Sequence, residues 1–153
     1  MKKIISCFLL TVFIFMLASC VSPTDKETPI SGSDETSSSE ITLFSDALYD
    51  EDTTLGEGEK TVYLSVITPE KTVKFTVLTD KTVLGEALID VNLIEGEEGP
   101  YGLYIKKVNG ISAVYETDGA YWNVSIGGEA SNTGIDGIKL ADGGEYELTY
   151  TKA

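Results

Sequence analysis

The stretch "KTVYLSVITPEKTVKFTVLTD", residues 60–80, constrains the fold more than any other part of the chain. Val62, Leu64 and Val66 alternate with Tyr63 and Ser65 before Pro69-Glu70, and Val73, Phe75 and Val77 alternate with Lys74 and Thr76 after it. A period of two puts each triplet on one face of a strand, and Pro-Glu between them reads as a turn, so the stretch is a hairpin with one buried face. That face needs a cover. Downstream the period changes to supply one: Val83, Leu84, Ala87, Leu88 and Val91 recur at helical spacing behind Thr82 as N-cap, predicting a helix of about three turns.

After the helix, "EGEEGPYG" reads as turn-rich, and "LYIKKVNGISAVY" reads as a strand or hairpin around Asn109-Gly110, a dipeptide suited to tight turns. Residues 120–126 then alternate again. Trp122, Val124 and Ile126 share one face, Tyr121, Asn123 and Ser125 the other, and Gly127-Gly128 closes the strand. Trp122, the single tryptophan, is expected in the core because it alternates with aliphatic residues. A last strand, "EYELTYT", groups Tyr146, Leu148 and Tyr150. Hairpin, helix, then further strands make an α+β domain over residues 60–153, β-grasp-like, with a mixed sheet and one principal helix. Residues 41–59 carry Ile41, Leu43 and Phe44, which suit a short strand, but the acidic and glycine-containing remainder reads as a connector.

The N-terminus, "MKKIISCFLLTVFIFMLASC", has two lysines and an apolar run shorter than the roughly 20 residues of a membrane span, ending in small residues. It reads as a secretory signal over residues 1–19. Leu17-Ala18-Ser19-Cys20 resembles the lipobox of bacterial lipoproteins, which implies an acylated Cys20 at the mature N-terminus and an extracytoplasmic, membrane-anchored protein. Residues 20–59 would then be a lipid-anchored acidic tether and connector. The segment 21–40, rich in Ser, Thr, Asp, Glu and Pro, reads as disordered, with an end-to-end distance of about 25 Å.

Composition bears on partners and chemistry. The net charge is −14, with 25 acidic residues against 11 basic ones, and no basic cluster exceeds Lys106-Lys107. Nucleic acid is therefore excluded as a natural partner, and anionic headgroups are disfavoured, so membrane attachment would depend on the acyl chain. There is no histidine, and Cys7 would leave with the signal while Cys20 carries lipid. That excludes the usual zinc sites, cysteine nucleophiles and Ser-His-Asp triads, so no enzyme, no catalytic residues and no required cofactor or metal are expected. Asp50-Glu51-Asp52, Glu95, Glu97 and Glu98 read as solvated faces, and none matches a calcium-loop spacing. "GGEASNTG", residues 127–134, lacks the Gly-Lys-Ser/Thr ending of a phosphate loop. Tyr101, Tyr104, Tyr115 and Tyr121 fall at or near turns, where their rings either stack on a flat or sugar-like ligand or simply bury themselves at strand ends.

Several spaced elements agree with one family. Tyr121-Trp122, the turn at Gly127-Gly128, Gly134-Ile135, Asp142-Gly143, "TVLGEAL" at 82–88 and "YIKKVNGI" at 104–111 resemble the C-terminal domain of transcobalamin and intrinsic factor and its bacterial relatives of unassigned function. The resemblance implies a non-enzymatic domain that closes over a corrinoid such as cobalamin. The helical barrel of the vitamin carriers is not in this chain, no histidine is present to coordinate cobalt, and Ile138 stands where the vertebrate carriers tend to have tyrosine. The expected ligand face comprises Tyr121, Asn123, Gly127, Gly128, Asn132 and Thr133. On this reading the protein is a surface-tethered binding lipoprotein that serves an uptake transporter or surface partner. The alternative is a structural or adhesive domain binding protein or glycan through its sheet edges.

Overall fold

The computed structural model describes residues 42–153. The signal, Cys20 and the tether over residues 21–40 lie outside the described residues. Strands β2 (Lys60–Ile67) and β3 (Thr72–Thr79) form the expected antiparallel hairpin, and its register sets Val62 opposite Val77, Leu64 opposite Phe75 and Val66 opposite Val73. All six are buried. Thr68 closes the turn, its N–H donating to the Lys71 carbonyl at 2.9 Å.

Around this hairpin a six-stranded mixed sheet is ordered β1-β3-β2-β9-β7-β8, with β1 at Thr53–Gly56, β7 at Ala120–Ile126, β8 at Glu129–Ala130 and β9 at Glu145–Lys152. β9 returns parallel to β2, pairing Leu64 with Tyr146 and Val66 with Leu148, and antiparallel to β7, pairing Trp122 with Tyr150. A second sheet of three antiparallel strands, β4 (Ile94–Gly99), β5 (Gly102–Val108) and β6 (Ile111–Ser112), faces its own apolar residues to the same core. Helix α1 (Leu84–Asp90) contributes Leu84, Ala87 and Leu88. The fold is mixed α+β and mostly β, a curled mixed sheet with few helices.

The helix is shorter than its apolar stripe predicts. Val83, not Thr82, is the N-cap, and no side chain caps it. Extended backbone competes successfully here: Val83 bridges Lys139, and the Thr82 carbonyl accepts the Leu140 N–H at 2.9 Å, so the helix cannot begin earlier. At the other end Asn92 takes a left-handed φ of 54°, and the Leu93 N–H reaches back to the Leu88 carbonyl at 2.9 Å, which stops the helix in a Schellman arrangement.

Two segments carry more structure than their composition suggests. "EGEEG" is strand, not turn: β4 pairs with β5 along its length, and a bulge between Glu95 and Gly96 brings the Gly96 backbone so close to Tyr104 that a Cβ would lie 2.3 Å from its carbonyl oxygen. Ion pairs Lys106–Glu97 (2.6 Å) and Lys107–Glu95 (3.3 Å) cross the pair, so its outer surface shows no apolar alternation. The connector expected over residues 41–59 is, where described, a packed part of the fold. Leu43–Asp46 form a 3₁₀ turn, and Leu43, Phe44, Ala47, Tyr49 and Leu55 pack against the core. Buried Asn109 holds this segment with both ends of its amide: Oδ1 accepts from Tyr49 N–H (3.0 Å) and Nδ2 donates to the Tyr49 carbonyl (2.7 Å).

Candidate functional site

Trp122 is 6% exposed and meets Tyr150 edge to face, with ring centroids 5.6 Å apart at 83°. The expected core placement is therefore met. Its indole N–H is nevertheless buried with no acceptor among the described residues. Since buried donors are nearly always paired, that atom is an anomaly. Trp122 also lines an open groove of about 300 Å³.

Three segments build the groove. Its floor is β7, through Trp122, Asn123 and Val124. One wall is the β4–β5 turn and the start of β5, presenting Tyr101, Leu103 and Tyr104. Tyr101 is 95% exposed, and the Tyr104 hydroxyl accepts the Tyr115 N–H at 3.2 Å, which anchors that ring to the one-turn helix α2 (Tyr115–Asp118). The opposite wall is residues 131–135. Ser131 shapes it: its N–H donates to the Val124 carbonyl (2.8 Å), its Oγ accepts from the Thr133 N–H (3.1 Å), and that hydroxyl donates to the Thr133 carbonyl (2.9 Å). A 3₁₀ turn, Ile135–Gly137, follows and buries Ile135. From it Asp136 Oδ2 accepts the Leu103 N–H at 3.2 Å, linking the two walls.

Of the residues expected to bind, Asn132 and Thr133 line this groove, and Asn123 borders it while its side-chain amide lies on the other face of β7, donating to Ser125 Oγ at 3.3 Å. Tyr121 does not line it. Strand alternation turns Tyr121, 36% exposed, to the outer face of the large sheet. Gly127 and Gly128 form the β7–β8 turn with left-handed φ values of 56° and 86°, away from the groove. Ile126 shares the Trp122 face but is 44% exposed, because β7 runs on beyond the core. Leu103 and Asp136 were not singled out by composition or period. The signals for them are Gly102 and Gly134, glycines flanking positions where two backbones converge.

Other concavities are less equipped. One of about 290 Å³ lies on the outer sheet face around Tyr63, Lys74 and Asp52, and another of about 230 Å³ lies beside Asp118 and Tyr150. Asp118 is held below the usual carboxylate range, chiefly by the Val114 N–H bonded to it at 2.8 Å, with burial opposing and Thr117 and Ser112 adding to the lowering. Burial pushes the Tyr150 hydroxyl up, and the Asp118 charge pushes it further. These two acids explain themselves as structural groups. Among the described residues no three His, Cys, Asp or Glu side chains converge as a metal-ligand set.

Residues 80–152 match the model of a domain of unknown function, DUF4430. The matched span begins after the β2–β3 hairpin, so the family model covers the groove and α1 but not the centre of the large sheet. Among solved structures, the chain is similar to a candidate metal-binding protein from Ruminococcus gnavus ATCC 29149, with 35% identity and a TM-score of 0.58 over 62% of this chain and 99% of that one. It is also similar to haptocorrin in complex with Cbi, with 26% identity and a TM-score of 0.46 over 61% of this chain and 25% of that one. The chain thus spans about a quarter of haptocorrin's length. A search of curated proteins finds no match.

Proposed function

We propose that the domain is a non-enzymatic small-molecule-binding module, held outside the cell by an acylated Cys20, whose ligand is a corrinoid passed on to an uptake transporter. The observation that carries the binding reading is the open groove of about 300 Å³ that Trp122 helps to floor and that Tyr101 and Tyr104 wall. Such a site offers stacking surface and amide and hydroxyl partners from Asn132 and Thr133. The corrinoid class comes from the sequence resemblance to the vitamin carriers. The β2–β3 hairpin, the α1 crossover and the parallel return of β9 beside β2 support a β-grasp assignment, the fold expected from the order of elements.

A groove of about 300 Å³ is at the low end of the roughly 300–1,000 Å³ of small-molecule pockets and covers one side of a corrin ring at most. Affinity in the free domain is accordingly micromolar or weaker, rising when a partner covers the exposed side. Calorimetry with cobalamin and with cobinamide tests the reading. Heat of binding should be seen with wild type, weakened in Tyr101→Ala and retained in Tyr121→Ala. No heat at high micromolar ligand would transfer the reading to an adhesive surface domain, which the unpaired outer edge of β4 favours. Loss of Cys20→Ala from the membrane fraction is the corresponding test of the anchor.

A further inference from the structure

Two segments that are distant in sequence form the groove's walls. The Leu103 N–H at the start of β5 donates across the gap to Asp136 Oδ2 at 3.2 Å. The carboxylate sits between two glycines. A Cβ on Gly102 would lie 2.5 Å from both Asp136 oxygens, and a Cβ on Gly134 would lie 2.8 Å from Oδ1. Either Cβ would push the carboxylate aside, so glycine at both positions leaves the space it occupies, and Gly102 in addition takes a left-handed φ of 100°. Gly134 has an ordinary φ of −57°, which means its lack of a side chain serves this space and not its own backbone. Tyr101 and Leu103 flank Gly102 on one wall, and Thr133 and Ile135 flank Gly134 on the other.

We infer that Asp136 is a positioning residue for the groove: its carboxylate latches the β4–β5 turn to the 131–135 loop and so fixes the opening over Trp122. The inference rests on the reading of this groove as the ligand site. It adds that affinity is set by a residue on the rim that need not touch the ligand, because a groove held open at fixed width avoids ordering its walls at the moment of binding. The bond is exposed to water, so the latch is a local device, not a source of global stability.

The experiment uses the full chain and four forms: wild type, Asp136→Ala, Asp136→Asn and Gly134→Ala. Amide hydrogen exchange at Leu103 and acrylamide quenching of Trp122, the only tryptophan present, report the latch without any ligand. Cobinamide titration reports binding separately. Asp136→Ala should speed exchange at Leu103 by about tenfold, deepen quenching, and leave exchange at Leu64 and Leu148 in the core strands unchanged. Asp136→Asn keeps an acceptor oxygen and should restore most of the protection. Gly134→Ala, which crowds the carboxylate and brings a Cβ to 3.1 Å from the Tyr101 carbonyl oxygen, should fall between. Where wild type binds cobinamide, Asp136→Ala should bind at least about threefold more weakly. Wild-type exchange and quenching in Asp136→Ala would overturn the latch, as would equal acceleration at Leu64 and Leu148, or unchanged cobinamide affinity despite a loosened Leu103. A latch that loosens as described in a protein that gives no cobinamide signal upholds the positioning role and removes the corrinoid reading alone.

Discussion

Tyr150 shows how one side chain links the core to the solvent. Its ring packs on Trp122 while its hydroxyl, raised in pKa by burial and by Asp118, stays protonated in the folded state beyond the point at which a free tyrosine ionises. Above a pH of about 10 the unfolded chain therefore releases this proton and the folded chain does not. The unfolded state then binds fewer protons, so stability falls as pH rises from about 10 through the folded pKa. Urea unfolding of wild type and Tyr150→Phe across that range should show the wild type losing its advantage progressively. Parallel curves would mean that the hydroxyl ionises freely in the fold. At this scale the sequence was partly legible. Alternation placed Trp122 in the core, but no periodicity reveals that one edge of a core ring also lines a groove. Alternation turns Tyr121 away from Trp122 and so, in this fold, away from the groove, which does not include it. Asn109 was read as a turn residue, while its amide also holds Tyr49 across sixty positions of chain, a contact that no local pattern encodes.

Elements were legible in proportion to how much of their stabilisation is local. The β2–β3 hairpin follows from alternation and a Pro-Glu turn, and it appears with its apolar pairs in register. β4 does not announce itself, because its outward residues are glutamates and its register is held by a bulge and by lysines on β5. The predicted helix was too long for a tertiary reason, the Val83–Lys139 bridge at its start. Its end is set locally by Asn92, which adopts a left-handed conformation that other non-glycine residues enter at a cost of about 1–2 kcal/mol. Asn92→Ala should destabilise by about 1 kcal/mol, and Asn92→Gly should be neutral or slightly stabilising, both measured by chemical denaturation. Equal losses in the two variants would show that the asparagine side chain, not its backbone conformation, matters.

At the scale of the molecule, the family match and the folding unit do not coincide. Residues 80–152 contain the groove, yet β9 within them has β2 as its parallel neighbour, and the inner face of β2 and β3 fills the core beneath α1. A fragment of residues 80–153 should consequently lack a cooperative melt by circular dichroism, whereas residues 42–153 should show one. A cooperative transition in the shorter fragment would contradict this account of the core. Upstream, β1 and the Leu43–Asp46 turn extend the packed region beyond the boundary that composition suggests at Lys60. Acidic side chains tie this segment to the hairpin: Asp52 accepts the Lys74 N–H at 2.8 Å, and Glu70 of the β2–β3 turn accepts the Leu43 N–H at 2.8 Å. Charge patterning alone reads such residues as solvated linkers.

The groove over Trp122 is the proposed ligand site, and the indole itself can report on it. With a single tryptophan in the chain, the indole N–H gives one resonance in a nitrogen-proton correlation spectrum. Titration with cobinamide should shift that resonance together with the amides of Leu103, Tyr104 and Thr133, while the amides of Ser65, Glu147 and Thr149 on the β2 and β9 strands stay in place. An unmoved indole signal, with shifts confined to those two strands, would contradict the account.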